Sequence, residues 1–256
     1  MKTYTLITGA STGFGKSLSI KCAKLGMNLI IVSLPHSGLQ ELGEFLKANF
    51  NIKVIAFELD LSTVDNCNLL YDDIKKRRAS VKYLINNAGV LSKGLFENLS
   101  EDYFLKQIQV NVTTPTILTK LFLDDFKANA PSGILNVSSM ASFFHLPKKQ
   151  VYSGTKAYLL SFSKSLGKEL KKYGVWVSIV CPGGMNTTTG LCLQNRKLGW
   201  IPRKSILNPE DAANETLDQF LKHKELIVPG FLNKIFMFLD SIIPSKIKNR
   251  LTSNVA

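Results

Sequence analysis

Residues 4–15, which read YTLITGASTGFG, decide the fold. Residues 4–8 form a short apolar and β-branched run, and the glycine-rich segment opens an amphipathic stretch over residues 13–25. Glycines let the backbone turn tightly and approach a pyrophosphate closely, and a helix N-terminus offers free N–H groups to an anion. The spacing is G-x-x-x-G-x-G, which alone would also suit a plain strand-to-helix turn. Its place at the first strand-to-helix junction favours a nucleotide-binding loop.

The alternation of short apolar runs and amphipathic stretches continues along the chain. Further strands are predicted over residues 29–32, 53–57, 83–85, 133–137, 175–180 and 226–228. Further helices are predicted over residues 37–49, 62–76, 100–129 and 151–173, and from Pro209 onward. This order predicts an α/β protein with a doubly wound Rossmann fold, in which helices cover both faces of a mostly parallel seven-stranded sheet (three layers, α/β/α). Ligands of such sheets bind beyond the carboxyl ends of the strands.

Single residues predict where several helices begin, end or bend. Gly26 suits the C-terminal end of the first helix, and Ser62 and Ser100 suit N-terminal caps. Pro115 lies inside the stretch 100–129 and predicts a bend there, because proline removes a helical hydrogen bond.

Length and composition indicate one large domain. The chain has 256 residues, 45% of them hydrophobic, and no apolar run reaches the roughly 18–20 residues that a membrane span needs. We expect a catalytic domain over residues 1–230 and an apolar, basic helical tail over residues 231–256. The four cysteines and three histidines lack metal-ligand spacing, so we expect free thiols and no metal. The sequence shows no secretory signal, so we expect a cytoplasmic protein.

The formal net charge of +13 leaves several interpretations open. Solvated helix faces are favoured, and an anionic ligand or a membrane surface would also suit it. The basic runs at residues 75–78 and 168–172 lie at helix ends and lack interleaved aromatic side chains, so a nucleic-acid partner is not predicted.

Separated motifs carry a family resemblance over roughly residues 3–230. Besides the glycine-rich loop, they are Asp60 in LDLS, NNAG at residues 86–89, Asn111 in VNV, and Pro182-Gly183 followed by Thr187. Together and in this order they resemble the classical short-chain dehydrogenase/reductase family. Taken singly, Asp60 would suit a turn, the two asparagines a strand end, and Asn111 a polar helix face.

The resemblance implies a nicotinamide dinucleotide held at the carboxyl ends of the strands. It implies these cofactor contacts: Gly9, Ser11, Thr12, Gly13, Phe14, Gly15, Ser33, Asp60, Leu61, Asn87, Ala88, Gly89, Tyr152, Lys156, Pro182, Gly183 and Thr187.

Tyr152 and Lys156 are candidates for proton transfer. Residues four apart share a helix face, so the ammonium would lie close to the phenol. A nearby cation favours phenolate, which predicts that the pKa of Tyr152 falls below its usual value of about 10. The positive ring of an oxidised nicotinamide would act in the same direction. Otherwise Tyr152 would be a packed aromatic and Lys156 a solvated lysine.

A second Y-x-x-x-K pair, Tyr71 and Lys75, shows that the spacing alone is weak evidence. Ser139 stands thirteen residues before Tyr152, at the end of a predicted strand, whereas Glu58 stands thirteen before Tyr71. The family has a serine at this spacing, so we select Ser139, with its neighbour Ser138 as the alternative.

The resemblance implies how these residues would act. Ser139 would bind the substrate oxygen, and Tyr152 would give that oxygen a proton during reduction or take one during oxidation. Lys156 would tune Tyr152 and hold the nicotinamide ribose, and Asn111 would support a water chain to solvent. Such an enzyme would interconvert a carbonyl and a secondary alcohol with NAD(P)(H).

Cofactor preference and substrate are less strongly encoded. The second strand ends without an acidic residue that would repel a 2′-phosphate, and Lys16, Ser33 and His36 are candidates to lie near it, which favours NADP over NAD. We expect residues 185–203 to cover the site. We expect an apolar pocket, which suits a lipid-like, acyl or aromatic carbonyl, to be formed by Met140, Phe143, Phe144, His145 and Leu191.

Three further expectations concern partners. The resemblance suggests a homodimer or homotetramer built partly from the long helices. The tail runs from an apolar stretch at residues 231–243 to Lys246, Lys248 and Arg250, so it would suit either packing on the protein or peripheral contact with a membrane. A cofactor-binding sensor, or a scaffold at a membrane surface, that keeps the fold without the chemistry is the competing function.

Overall fold

Seven strands form one sheet in the computed structural model, which describes residues 2–91, 94–144, 146–187, 189–196, 199 and 203–242. The strands are β1 (Thr3–Thr8), β2 (Leu29–Ser33), β3 (Val54–Glu58), β4 (Ser80–Asn86), β5 (Ser132–Val137), β6 (Val175–Val180) and β7 (Leu226–Ile227). Their order is β3-β2-β1-β4-β5-β6-β7, and every neighbouring pair is parallel. The predicted doubly wound fold is confirmed.

Ten α-helices connect or follow the strands in the described part of the chain. They are α1 (Gly13–Lys24), α2 (Leu39–Asn49), α3 (Val64–Lys76), α4 (Glu101–Ile108), α5 (Thr114–Leu121), α6 (Leu123–Ala128), α7 (Gln150–Leu170), α8 (Thr189–Arg196), α9 (Pro209–Phe220) and α10 (Phe231–Ile242). Short 3₁₀ turns occupy Phe96–Asn98, Met140–Ser142 and Lys171–Tyr173.

Side-chain alternation in the strands divides the core into two layers. Ile7 points to the side covered by α1, α2 and α9, and its neighbour Leu6 points to the side covered by α3, α5, α6 and α7. Ile31 and Ile30 of β2 divide in the same way. These strands are apolar at consecutive positions because helices bury both faces.

Strand β4 is longer than the prediction of residues 83–85. It begins at Ser80, which pairs with Thr3, and the register shifts between Tyr4 and Thr5 of β1. The shift marks a bulge or irregularity. On the other side of it, the first residues of β1 continue to pair with β4. A bulge leaves little trace in the hydrophobic pattern, so the sequence did not reveal the first half of this strand.

Two helix starts differ from their predictions. Thr63, not Ser62, caps α3, and its hydroxyl accepts a hydrogen bond from the Asn66 amide at 3.2 Å. The Ser62 amide instead donates to Asp60 Oδ1 at 3.0 Å. Helix α2 begins two residues later than predicted, after Gly38, whose φ of 76° is left-handed. By contrast, Ser100 caps α4 as predicted, accepting from the Tyr103 amide.

The helix predicted over residues 100–129 is three helices. Residues Gln109–Thr113 form a π-helix between α4 and α5, just before Pro115. The π-turn accommodates a proline that cannot donate a backbone hydrogen bond. The predicted bend therefore lies before Pro115, and a second break separates α5 from α6 at Phe122.

The carboxyl ends of the strands meet at one edge of the sheet. The strand order reverses between β1 and β4, which is where ligands of doubly wound sheets bind. Thr8, Ser33, Asn86 and Val137 end their strands there. The predicted site residues follow these strands and therefore lie around one crevice.

The predicted domain boundary after residue 230 stays a prediction. Helix α10 begins at Phe231 and places Asn233, Phe236 and Met237 against the domain. The rest of the tail, from residue 243, lies outside the described residues. No helix among the residues that the structure describes combines the length and apolar character needed to cross a bilayer.

Candidate active site

The glycine-rich loop is interlocked with the end of β4. The Thr8 hydroxyl accepts hydrogen bonds from the amides of Asn87 (3.1 Å) and Ala88 (3.0 Å). The Asn87 side chain donates to the carbonyls of Thr8 (3.0 Å) and Gly9 (2.9 Å). A Cβ at Gly15 would lie 2.0 Å from the Gly9 oxygen, so only glycine fits where the helix crosses the loop. These contacts fix the loop shape before any ligand binds.

The first turn of α1 is suited to hold an anion. Thr12 precedes the helix without capping it by a side-chain hydrogen bond, and the first turn has no acidic residue. Its N–H groups and the positive end of the helix dipole therefore face no carboxylate of their own turn. A Cβ at Gly13, where φ is 51°, would lie 3.0 Å from Thr187, so the two predicted contact segments meet here. This donor set fits the diphosphate of a dinucleotide.

The end of β2 presents hydroxyls rather than charges. The Ser11 and Ser33 hydroxyls are 2.7 Å apart and share a hydrogen bond. Leu34 and His36, which follow, are exposed, and His36 has a left-handed φ of 57°. Residues 33–36, all of which the structure describes, place no carboxylate at the strand end that would contact an adenosine ribose.

Asp60 and Leu61 follow β3. Asp60 Oδ2 is 3.3 Å from Lys106 Nζ. Burial raises the pKa of Asp60, but hydrogen bonds from Ser62 and Lys106 outweigh burial and leave that pKa lowered. Leu61 is buried in the core, and its carbonyl accepts a hydrogen bond from Thr114. Asp60 therefore stands at the crevice as a half-buried carboxylate, and Leu61 mainly holds β3 against α5.

Tyr152 and Lys156 lie one turn apart on α7, and both are buried. Lys156 Nζ donates to the Val137 carbonyl at 2.8 Å and lies 5.7 Å from the centre of the Tyr152 ring. A Cβ at Gly89 would lie 3.4 Å from the same Nζ, which places the NNAG turn beside the lysine. Burial lowers the pKa of Lys156 to about 8.

The expected lowering of the Tyr152 pKa is wrong for this structure. Burial raises the pKa of Tyr152 above its usual value, and this outweighs the lowering by a hydrogen bond with Ser139. The buried thiol of Cys181 also raises it. The error arose from counting the charge of Lys156 while leaving out the cost of placing a phenolate in an apolar site.

The structure distinguishes Ser139 from Ser138. The Ser138 hydroxyl is buried and donates to the Lys156 carbonyl at 2.8 Å, so it fastens β5 to α7. The Ser139 side chain accepts from the Ala141 amide at 3.1 Å and lies near enough to the Tyr152 phenol to lower the pKa of that phenol. Ser139 is therefore the serine placed beside the phenol.

Asn111 is buried in the π-helix, and its side chain is fully engaged. Its Oδ1 accepts from the Val90 amide at 2.8 Å, and its Nδ2 donates to the Val90 carbonyl and the Thr155 hydroxyl at 3.0 and 3.1 Å. It thus ties the chain after the NNAG turn to α7. Pro115, four residues further on, cannot give the Asn111 carbonyl its usual helical donor.

Pro182 and Gly183 follow β6. The Pro182 carbonyl accepts from the Met140 amide at 2.9 Å, which joins this segment to the residue after Ser139. A Cβ at Gly183 would lie 2.5 Å from Oδ1 of Asn233 in α10. Sequence reasoning missed Asn233, because nothing in an apolar stretch fifty residues away indicates this contact.

An apolar cluster lies beside Ser139. Met140, Ile179, Cys181 and Val228 are buried in it together with Leu159. Partly buried apolar side chains that pack on this cluster include Phe143, Phe144, Phe236 and Met237. Helix α10 thus adds two side chains to the predicted apolar wall. The remaining predicted members, His145 and the Leu191 side chain, lie outside the described residues.

The structure brings together the predicted site residues in two groups. Ser139, Tyr152, Lys156, Gly89 and Asn111 surround the start of α7. The loop residues meet Asn87, Ala88 and Thr187 at the start of α1. Sequence reasoning missed Thr8 and Cys181; a strand-end threonine facing two amides is a signal that only known topology reveals. No group of three or more metal-ligating side chains occurs among the residues described.

The chain belongs to the short chain dehydrogenase family, whose model matches residues 3–195. It is therefore an oxidoreductase of the class that interconverts CH–OH and C=O groups. The predicted family and enzyme class are confirmed.

Individual relatives are similar over most of the chain. A 3-oxoacyl-(acyl-carrier-protein) reductase from Buchnera aphidicola is 29% identical over 220 residues, 84% of this chain and 88% of the relative. Epidermal retinol dehydrogenase 2 from Mus musculus is 29% identical over 94% of this chain and 78% of its own. An alcohol dehydrogenase from Thermococcus sibiricus, solved with 5-hydroxy-NADP, has a TM-score of 0.76 and 25% identity, covering 89% of this chain and 95% of that one. That ligand is a nicotinamide dinucleotide, the class of cofactor that the sequence predicts.

Proposed function

We propose that this protein interconverts an apolar carbonyl compound and its secondary alcohol with NAD(P)(H), and that Tyr152 is the general acid and base. The observation that carries the proposal is the buried group beside the crevice: a buried phenol close to the Ser139 side chain, with Lys156 Nζ 5.7 Å from the centre of its ring. The competing sensor or scaffold function would need none of these three side chains together.

Each side chain has a role that follows from its surroundings. Ser139 and Tyr152 donate hydrogen bonds to the substrate oxygen, so they stabilise the negative charge that develops on it. Tyr152 then transfers its proton to that oxygen. The bound dinucleotide supplies or accepts the hydride. No carboxylate pairs with Lys156 among the residues that the structure describes, so its ammonium keeps a positive charge near the phenol as the proton leaves.

Proton return to Tyr152 is proposed to involve the backbone at Asn111. Its side chain is occupied by Val90 and Thr155, so it cannot also carry a water chain. Its carbonyl lacks the helical donor that Pro115 would otherwise supply, so a water at the π-helix can bond there. The predicted support of a water chain by Asn111 is therefore proposed to come from its backbone.

We propose NADP rather than NAD as the preferred cofactor. The support is the absence of a carboxylate from the described end of β2, where the paired hydroxyls of Ser11 and Ser33 lie. Turnover measured with NADPH and NADH at equal concentrations should favour NADPH. A strong preference for NADH would overturn the proposed cofactor while leaving the reaction class intact.

We propose an apolar, lipid-like or acyl substrate. The wall of Met140, Phe143, Phe144, Phe236 and Met237 supports this choice. The names of the relatives, a 3-oxoacyl reductase and a retinol dehydrogenase, support it too. A screen would follow NAD(P)H absorbance with a 3-oxoacyl thioester, retinaldehyde, a steroid ketone and a small polar ketone. Faster turnover of the polar ketone than of all the others would contradict the proposal.

Two proposals concern partners. Leu105 and Ile108 on α4 and Tyr158 on α7 are exposed, which supports a homodimer or homotetramer through these helices. Light scattering of Leu105→Asp would then show a smaller particle than wild type.

Phe231 and Leu239, 76% and 40% exposed on α10, support peripheral membrane contact. Flotation with anionic liposomes should weaken in Phe231→Ser/Leu239→Ser, and equal flotation of both proteins would remove that idea.

A further inference from the structure

Asn233 is a buried amide on a predominantly apolar helix. It is 3% exposed, near the start of α10. Its Nδ2 donates to the Pro229 carbonyl at 2.9 Å and to the Ser205 carbonyl at 3.3 Å. Because a buried amide is costly without partners, these bonds define where the side chain can lie.

The same amide packs on the segment after β6. A Cβ at Gly183 would lie 2.5 Å from Oδ1 and 2.7 Å from Nδ2 of Asn233. Only glycine therefore fits at position 183 without displacing the Asn233 amide. One residue earlier, the Pro182 carbonyl accepts from the Met140 amide, beside Ser139. Two contacts thus connect Asn233 with the proposed proton-transfer group. The first joins Asn233 to Gly183, and the second joins Pro182 to Met140, the residue after Ser139.

Three chain segments meet around Asn233: residues 183–186, 205–207 and 229–233, here called the junction. The Leu207 amide donates to the Gly184 carbonyl at 2.9 Å, and the Asn186 amide donates to the Leu207 carbonyl at 3.2 Å. A Cβ at Gly230, where φ is 83°, would lie 2.8 Å from Leu207 Cδ2. The junction therefore holds residues 184–186 next to Leu207, although about twenty residues separate them along the chain.

Helix α9 anchors the junction from below. Glu215 Oε2 accepts from the Gly230 amide at 2.9 Å, and its Oε1 bonds to Lys234 Nζ at 2.6 Å. The anchor fixes the start of α10 to a helix that is itself part of the main core. Asn233 consequently projects from a fixed support, which a surface tail would not provide.

We propose that Asn233 is a positioning residue of the active site, which holds the proposed cofactor contacts Pro182 and Gly183 in the position that cofactor binding requires. The inference rests on the proposed function, because it concerns where that function's cofactor binds. Asn233 touches neither substrate nor cofactor and acts through Gly183 and the junction. The C-terminal helix is then a part of the catalytic domain.

The first test compares Asn233→Ala with a matched control, Asn129→Ala. Asn129 also donates from a side-chain amide to backbone, at 2.8 Å to Asp125 and 3.4 Å to Val81, but at the opposite end of the sheet. Both variants should lose thermal stability. Only Asn233→Ala should weaken NADPH binding, by roughly five- to tenfold, because it loses the two hydrogen bonds that hold the amide beside Gly183. Fluorescence titration measures this loss. The KM of Asn233→Ala for NADPH should rise similarly, whereas Asn129→Ala should keep both constants within about twofold.

Asn233→Asp provides a second variant of nearly the same shape. An ionised aspartate cannot donate to the Pro229 and Ser205 carbonyls, so it should weaken NADPH binding at least as much as alanine does. Asn233→Leu, which has nearly the same shape and no charge to bury, is the reserve variant if Asn233→Ala and Asn233→Asp fail to fold. NADPH affinity equal to wild type in any folded variant would overturn the inference.

A double-mutant cycle tests the contact itself. Gly183→Ala should weaken NADPH binding strongly in the wild-type background, because the new methyl meets the Asn233 amide. In the Asn233→Ala background the methyl has room, so the added loss should be smaller by roughly threefold or more. Equal losses in both backgrounds would overturn the contact. If wild type neither binds NADPH or NADH nor reduces any carbonyl, the proposed function fails; if wild type binds and turns over while Asn233→Ala matches it, only this inference fails.

Discussion

Two regions of this molecule carry the same local motif, and only one is built for proton transfer. Lys156 Nζ lies 5.7 Å from the Tyr152 ring on α7, and Lys75 Nζ lies 5.3 Å from the Tyr71 ring on α3. Helix periodicity produces both distances. The four-residue spacing therefore fixes proximity and says little about chemistry.

The surroundings make the difference. Lys75 bonds to the carboxylate of Asp125 and is 38% exposed, and Tyr71 packs edge-on against Phe122. Lys156 is 4% exposed and bonds to a neutral carbonyl. An ammonium that is already neutralised and solvated has little influence on a phenol, whereas a buried, unneutralised one has much. The comparison predicts different consequences for the same substitution in the two places.

The largest expected difference between the two regions appears when the phenol oxygen of each tyrosine is removed. Tyr152→Phe should lower kcat by about a thousandfold, within the range that general acid–base catalysis contributes. Tyr71→Phe should leave kcat within about twofold, because that ring only packs. Steady-state NADPH oxidation with the best carbonyl from the screen measures both. A Tyr152→Phe enzyme within tenfold of wild type would erase the distinction.

The two neighbouring serines sharpen the comparison at the strand end. Ser139→Ala removes a donor to the substrate oxygen and should lower kcat by about a hundredfold. Ser138→Ala removes a hydrogen bond from β5 to the Lys156 carbonyl, so it should mainly lower the unfolding free energy, by about 1 kcal/mol. Kinetics and urea unfolding of both variants separate the roles. The reverse pattern would assign the substrate contact to Ser138.

The two lysines should differ next. Lys156→Met should lower kcat by about tenfold or more, since each unit of pKa change in the phenol corresponds to tenfold in proton affinity. Lys75→Met should leave kcat unchanged but lower the unfolding free energy by about 1–3 kcal/mol, because Asp125, 7% exposed, loses its cation. Equal kinetic losses in the two variants would show that burial does not decide the role.

The last expected effect concerns stability rather than turnover: a pH dependence of the unfolding free energy. Burial lowers the pKa of Lys156 from 10.5 to about 8, so between these values the unfolded chain binds more protons at this residue. The unfolding free energy of wild type should therefore rise with pH across that window, relative to Lys156→Met. Urea titrations at pH 7.5, 9 and 10.5 measure the difference. A difference that stays constant or falls would contradict the buried, unneutralised ammonium.

Much of the fold follows from sequence pattern. Consecutive apolar positions such as Ile30 and Ile31 indicated strands buried on both faces, and the capping residue Ser100 marked a true helix start. What failed depended on neighbours in space. The π-helix before Pro115 and the added pairing of Ser80 with Thr3 leave weak local signals.

The site divides in the same way. Tyr152, Lys156 and Ser139 were found because helix spacing and strand ends are local properties. The direction of the Tyr152 pKa was wrong because burial of the phenol, the largest cause of the shift, depends on residues that are distant in sequence. Asn233 was missed because its partner Gly183 lies fifty residues away, and only the folded chain brings the two together.

One measurement tests the central claim most directly: transfer of deuterium from NADPH labelled at C4 of the nicotinamide to a carbonyl substrate, in a single turnover. Wild type and Tyr71→Phe should both place the label on the carbinol carbon at the same rate. Tyr152→Phe, saturated with the labelled cofactor, should transfer the label about a thousandfold more slowly. Label transfer by Tyr152→Phe at the wild-type rate would show that the phenol beside Lys156 is not the proton donor.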